Sequence, residues 1–332
     1  MVRIGLLGAG GMGRQLAQVA QELPDCRVTY VCDPNEDAAT QAGQALEAAV
    51  SESAADLLGR EDVDAVIIAA PNHLHAELAI AAAHAGKHIF CEKPMALRVA
   101  EAQAMIAAAE AGGVKLMIGQ VLRYVWPFVW MREFLAEGSL GAPFAVQITR
   151  IGGPWGGEHS QDWRLRGAQC GGPLYEIGAH EIDFLRCLLG EATSVYARFG
   201  HFLPSATDYE DLTSVIIDFA GGQTAQLLEG HASHMSLYDG KIFGAEGTLI
   251  FRGWGEDLAY QRRGEAEPVR VDRAQFAGQY EEGVHREVRE FVEAIRDDTA
   301  PPIPGIEGLR NVEIAEAAAL SAQRGTPVAL PL

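Results

Sequence analysis

The segment Gly8-Ala9-Gly10-Gly11-Met12-Gly13 restricts the fold of this 332-residue chain more than any other feature. An apolar run at residues 2–7 leads into it, and a helical stretch at 14–22 follows. A second apolar run, 27–32, ends in Asp33, 20 residues after Gly13. The order is therefore strand, glycine turn, helix, strand, acid. The first glycine of Gly8-x-Gly10-x-x-Gly13 permits a tight turn, the second lets backbone approach a pyrophosphate, and the third allows close contact between helix and strand. The helix N-terminus offers free amides to phosphate charge. Asp33 can accept both ribose hydroxyls of NAD and would repel a 2'-phosphate, and no arginine follows in Pro34-Asn35-Glu36. The spacing points to NAD rather than NADP. A plain glycine turn beside a solvated aspartate is the competing reading, and it leaves the coincidence of strand, helix and acid unexplained.

The alternation continues with expected strands at 64–69, 88–91 and 114–118 and helices at 74–85 and 97–111, which specifies a parallel sheet covered on both faces. Beyond Gly119 the texture changes. A helix at 127–136 and a glycine-dense loop around 152–157 precede a helix at 174–189. Strands then follow one another without helices, at 194–202, 212–219, 223–231, 241–243, 248–251, 258–261 and 268–271, which implies an antiparallel sheet. Helices at 282–296 and 306–323 close the chain. The expected class is α/β: a doubly wound Rossmann domain over 1–119, and an α/β domain with a large, mostly antiparallel open sheet over 120–332.

Composition narrows the partners. With 26 Lys and Arg against 45 Asp and Glu, the formal charge of -19 repels nucleic acid and anionic membranes. No apolar run approaches the ~20 residues that span a bilayer. The five cysteines are odd in number and form no CxxC pair, so no disulfide framework or zinc cluster is expected and a reducing cytoplasm fits. The HxxH of His231 and His234 lacks a shared helical face, and no metal site is read.

Two further segments carry candidate chemistry. Glu92-Lys93-Pro94 follows the strand at 88–91, and strand ends of this kind face the ligand crevice. By itself the tripeptide fits an exposed turn equally well. Glu176, His180 and Asp183 fall at i, i+4 and i+7 of the helix expected at 174–189, one stripe of acid, imidazole and acid. A carboxylate beside a histidine suits a general base for an alcohol proton; a helix-stabilising ion pair is the plainer alternative.

Taken in order, Gly8-x-Gly10-x-x-Gly13, Ala70-Pro71-Asn72-His73-Leu74-His75, the run from Gly86 to Pro94, and the run from Gly171 to Asp183 resemble the Gfo/Idh/MocA oxidoreductases, the family of glucose-fructose oxidoreductase and inositol dehydrogenase. The resemblance spans nearly the whole chain. It implies NAD held by Gly8, Gly10, Gly11, Met12, Gly13 and Asp33, with Pro71, Asn72, His75, Glu92 and Lys93 on the nicotinamide side. It implies a sugar or polyol substrate that meets Lys93, Arg123, Tyr124, Trp163, Arg164, His180 and Asp183, and hydride transfer in which Lys93 contacts the reacting oxygen and His180 is the acid/base. Glu176 stands where the family usually has aspartate, one methylene shorter, and is expected to orient His180. Glu158, Asp162, Arg164 and Arg166 leave neutral and acidic sugars both open. The resemblance further implies a homodimer or homotetramer through the C-terminal sheet. Two other activities occur on this fold: a lyase or glycosidase that oxidises its sugar transiently, and a non-catalytic dinucleotide sensor.

Overall fold

A computed structural model describes residues 1–156 and 162–332. The chain forms two compact units, one of residues 1–121 and 284–312, the other of 122–283 and 313–332. Residues 284–312 thus return to the first unit, whereas a single cut after 119 assigns them to the second.

The first unit begins with β1 (Val2–Leu7), α1 (Gly11–Glu22), β2 (Cys26–Cys32), α2 (Glu36–Leu46), β3 (Ala49–Val50), α3 (Ala54–Leu58) and β4 (Ala65–Ile68). It continues through α4 (His75–His84), β5 (His88–Glu92), α5 (Val99–Gly112) and β6 (Leu116–Gly119). The six strands pair in the order β3-β2-β1-β4-β5-β6, all parallel. This is the expected doubly wound sheet, and its order reverses between β1 and β4, the place where such sheets take ligands. β4 is buried along its whole length, as its uninterrupted Ala-Val-Ile-Ile requires. Helix α5 stops because Gly113 takes a left-handed conformation, φ +63°, at its C-cap.

The second unit carries α6 (Trp126–Ala136), β7 (Pro143–Ile151), α7 (Gly167–Cys170), α8 (Pro173–Glu176) and α9 (Gly178–Leu189). Then come β8 (Ala192–Gly200), β9 (Leu212–Phe219), β10 (Thr224–Gly230), β11 (Leu237–Gly244), β12 (Gly247–Arg252), β13 (Asp257–Arg262) and β14 (Val269–Arg270). Helices α10 (Gly283–Arg296) and α11 (Gly305–Arg324) follow, and β15 (Val328–Ala329) ends the chain. The sheet has nine strands in the order β14-β13-β12-β11-β7-β10-β9-β8-β15. Every pair is antiparallel except β7 with β10.

Two local expectations are corrected. Strand β7, which sits between β11 and β10, falls in a stretch with no expected element; its alternation Val146-Gln147-Ile148-Thr149 is short and breaks where Arg150 stands before Ile151. The helix expected at 174–189 is two helices that break at Ile177, φ -103° and ψ -58°. Gly178 follows the break because a Cβ there would overlap the Glu229 carboxylate and crowd Leu174.

Candidate active site

In the first unit the glycine turn has the shape its sequence requires. Helix α1 starts inside the motif, with Gly10 as its N-cap. Gly8 has φ +100°, and a Cβ there would lie 2.6 Å from the Ala69 carbonyl oxygen, at the end of β4. A Cβ on Gly13 would overlap the Gly8 carbonyl, whereas one on Gly10 or Gly11 would meet nothing within 4 Å. Gly8 and Gly13 are therefore packing glycines, and the space before Gly10 and Gly11 remains for a ligand. Met12 is exposed on the same turn. Asp33, at the end of β2, braces this cradle: its carboxylate accepts the Ala9 amide at 2.7 Å and the Asn35 amide at 2.8 Å. An open turn at a helix N-terminus, held by a carboxylate at the next strand end, fits a dinucleotide.

Two more loops converge at the same edge of the parallel sheet. Pro71 and the buried Asn72 follow β4. The fully buried His75 has Nδ1 2.8 Å from the Pro94 carbonyl oxygen and Nε2 2.9 Å from that of Ala70. His75 thus ties the loop after β4 to the Glu92-Lys93-Pro94 turn after β5. The Lys93–Pro94 peptide is cis, and the Lys93 amide donates to Glu92 at 3.1 Å. Behind the turn lies Glu287 of α10. Its burial, reinforced by the Glu92 charge, raises its carboxyl well above the ordinary range and keeps it protonated at neutral pH. Sequence reading missed Glu287, because a lone glutamate on an amphipathic helix reads as surface.

In the second unit the candidate residues pair with one another. Arg123 donates to the fully buried Asp183 through Nε and Nη2, both at 2.7 Å. Asp183 has no exposed surface with which to meet a substrate; it orients Arg123, beside the buried Tyr124. Arg164 donates to Glu176 at 2.9 Å, and its guanidinium lies 4.2 Å from the centroid of the Trp163 ring. His180 occupies the first turn of α9 and is half-buried. The break at Ile177 takes Glu176 off the helix of His180, so these residues and Asp183 do not share the single helical stripe expected of them. Asp162 and Arg166 are exposed, and Arg166 lies 3.9 Å from Asp208; Glu158 falls outside the described residues.

Beneath these side chains is a charged core that no local sequence pattern signals. Glu181 and Glu229 have no exposed surface, and Arg150 donates to Glu181 at 2.9 Å. Burial, and then the Glu181 charge, push the Glu229 carboxyl well above the ordinary range.

The comparisons with known proteins agree with this layout. Residues 2–120 match the Gfo/Idh/MocA oxidoreductase family model for its NAD-binding Rossmann fold, and residues 132–330 match that for its C-terminal α/β domain. A 1,5-anhydro-D-fructose reductase of Ensifer adhaerens is 31% identical over 257 residues, 76% of each chain. A 2,7-anhydro-N-acetylneuraminate hydratase of Escherichia coli K12 is 30% identical over 256 residues, 75% of this chain and 67% of the relative. Among solved structures, a levoglucosan dehydrogenase in complex with NADH and levoglucosan superposes with a TM-score of 0.86 at 25% identity over 100% of both chains. Two matched domains that together account for most of the chain, with a dinucleotide cradle in the first, make this protein a member of the Gfo/Idh/MocA family of NAD-binding oxidoreductases.

Proposed function

We propose that this protein oxidises a secondary hydroxyl of a neutral carbohydrate, with NAD preferred over NADP. The observation that carries the reading is the placement of Lys93 at the carboxyl end of β5, in the same parallel sheet whose β1-to-α1 turn is shaped for a dinucleotide. Gly10, Gly11, the N-terminus of α1 and Asp33 hold the cofactor, with Asn72 and the turn of Glu92 and Lys93 on its nicotinamide side. Bound there, the nicotinamide supplies a two-electron hydride acceptor. His180 takes the hydroxyl proton as general base, and the Lys93 ammonium donates to the oxygen as it becomes alkoxide and then carbonyl. Asp183 acts through Arg123 as a positioning residue, and Glu176 acts through Arg164.

Neutrality of the substrate follows from the ion pairs. Arg123, Arg150 and Arg164 are each matched by a carboxylate, Asp183, Glu181 and Glu176. A sugar acid would find these three arginine charges already answered, and Lys93 is engaged with the reacting oxygen. The test is a screen of neutral pyranoses, inositols and anhydrosugars beside uronates for NADH formation: a neutral substrate is expected, and oxidation of uronates alone would overturn the reading.

Cofactor preference rests on Asp33. Asp33→Ser is expected to raise the NADP-to-NAD ratio of kcat/KM by about tenfold or more, through loss of a carboxylate that repels the 2'-phosphate. An unchanged ratio would remove Asp33 from the cofactor site.

One relative favours a second reading. The hydratase similarity fits a reaction in which the sugar is oxidised, rearranged and reduced again, so that product forms with no net NADH. Lys93 and His180 would keep their roles in both directions of hydride transfer.

The nine-stranded sheet leaves Phe144 55% and Ile216 39% exposed on its strands. Apolar exposure of this kind suits a face that meets a second copy, giving a dimer or tetramer, and light scattering in solution reads the mass directly. The five cysteines, none in a disulfide, suit a reducing cytoplasm.

A further inference from the structure

The second unit contains a cavity of about 810 Å³ that the residues assigned above do not account for. Trp155, His231, Tyr238 and Trp254 line it together with Arg150 and Arg252. Its size lies in the upper part of the roughly 300–1,000 Å³ that ligand pockets span, with room for more than one sugar ring.

Three observations indicate what it takes. First, His231 is only 5% exposed, yet its Nε2 is buried without a hydrogen-bond partner among the described residues, at the wall of the cavity. Burial holds its imidazole below the ordinary value, so it is neutral at pH 7 and can serve a hydroxyl as donor or acceptor. A buried polar atom of this kind calls for a ligand group to satisfy it. Second, the wall is aromatic. The Trp155 and His231 rings lie 4.3 Å apart, those of Tyr238 and Trp254 5.2 Å apart, and Trp254 remains 45% exposed. Flat amphipathic surfaces of this kind meet the apolar face of a sugar ring. Third, the arginines of the wall are already answered. Arg150 packs over Tyr238 and Trp254 while paired with Glu181, and Arg252 pairs with Asp257, so the cavity, which Asp239 also lines, offers a ligand no unmatched arginine.

The cavity reaches the residue that precedes the helix of His180. Ile177, the residue of the break between Glu176 and His180, lines it, and Trp155 lies beneath the Arg164 guanidinium at 5.8 Å.

We propose that this cavity is a second sugar subsite, and that the natural substrate is a neutral glycoside of at least two rings, one oxidised at His180 and the other held among Trp155, His231, Tyr238 and Trp254. The proposal rests on the carbohydrate reading above and extends it to the part of the substrate that does not react.

The test uses the full chain with bound NAD and compares methyl glucoside and methyl galactoside with methyl cellobioside, methyl maltoside and methyl lactoside. Two readouts run together: saturation-transfer NMR for binding and NADH absorbance for turnover. At least one disaccharide is expected to exceed its matching monosaccharide in kcat/KM by about tenfold, and Trp254→Ala is expected to erase most of that advantage through KM. His231→Gln, which keeps a polar side chain in place, is expected to narrow the ratio to a lesser degree. Equal kcat/KM for both classes, or a disaccharide advantage untouched in Trp254→Ala, would overturn the subsite. Failure of the reaction reading looks different. If no sugar yields NADH, disaccharide saturation transfer that disappears in Trp254→Ala still supports the subsite, and its absence in the wild type overturns it.

Discussion

Lys93→Ala is expected to lower kcat by about 10²–10³-fold, and His180→Ala by about 10²–10⁴-fold, with NAD affinity within about twofold of wild type in both. The separation follows from where the groups sit. On the proposed reading, dinucleotide binding rests on the glycine turn, the start of α1 and Asp33, none of which either substitution touches. In that proposal Lys93 and His180 instead meet charge that develops during reaction, one as donor to the forming alkoxide and the other as acceptor of its proton. Groups that act on one oxygen in one step are not additive, so the double variant should be little worse than the poorer single variant. Lys93→Arg keeps the charge but spreads it over a planar fork, and should recover only part of the loss. Steady-state rates with NAD titration by fluorescence check all of this. Near wild-type kcat in either alanine variant would remove that residue from the reaction, and lost NAD affinity would turn it into a cofactor-binding group.

The second large effect concerns stability. Folding raises the Glu229 carboxyl, chiefly through burial, whereas in the unfolded chain it ionises near pH 4.3. A carboxyl raised by folding contributes stability that is fully present below the unfolded value and declines as pH rises toward the folded one. Glu229→Gln copies the protonated form and abolishes the decline. Its stability relative to wild type is therefore expected to grow with pH by about 1.4 kcal/mol per unit above the unfolded value, until the folded carboxyl itself ionises. Glu181→Gln behaves otherwise. It removes the partner of Arg150 together with a charge that, after burial, raises Glu229, so the Glu229 carboxyl is expected to fall and part of the loss to be recovered. With both residues as glutamine, Arg150 keeps its charge and has no carboxylate, which costs about 3–5 kcal/mol. Urea unfolding at pH 5 and pH 8 checks the signs. A destabilised Glu229→Gln at pH 8, or losses that simply add, would contradict the raised carboxyl and its coupling to Glu181.

What the sequence made legible was local. The cradle could be read because Gly8, Gly10 and Gly13 each perform a mechanical task within one turn, and Asp33 ends the adjacent strand at a spacing set by one helix. The parallel sheet followed from strands such as β4, whose apolar runs are continuous because both faces are covered. Long-range features were not legible. Strand β7 carries Arg150, which bonds with Glu181 on α9, so its polar residues are explained only by a helix more than thirty positions away. The reason for glycine at 178 is Glu229, brought close by β10. Asp183 was expected near the substrate from the resemblance alone, and its pairing with Arg123, 60 positions earlier, leaves no local spacing to read. The cavity of the second unit has the same origin: Trp155, His231, Tyr238 and Trp254 come from four segments and share no spacing.

The central claim is that the carbon bearing the reacting hydroxyl gives its hydrogen to the nicotinamide as hydride. The most direct measurement takes a carbohydrate that the protein turns over, replaces that hydrogen with deuterium, and follows the label by mass spectrometry after a single turnover with NAD. The account predicts deuterium in the reduced nicotinamide in one-to-one proportion with the keto-sugar formed. Product that forms while the label stays out of the nicotinamide throughout the turnover would contradict it.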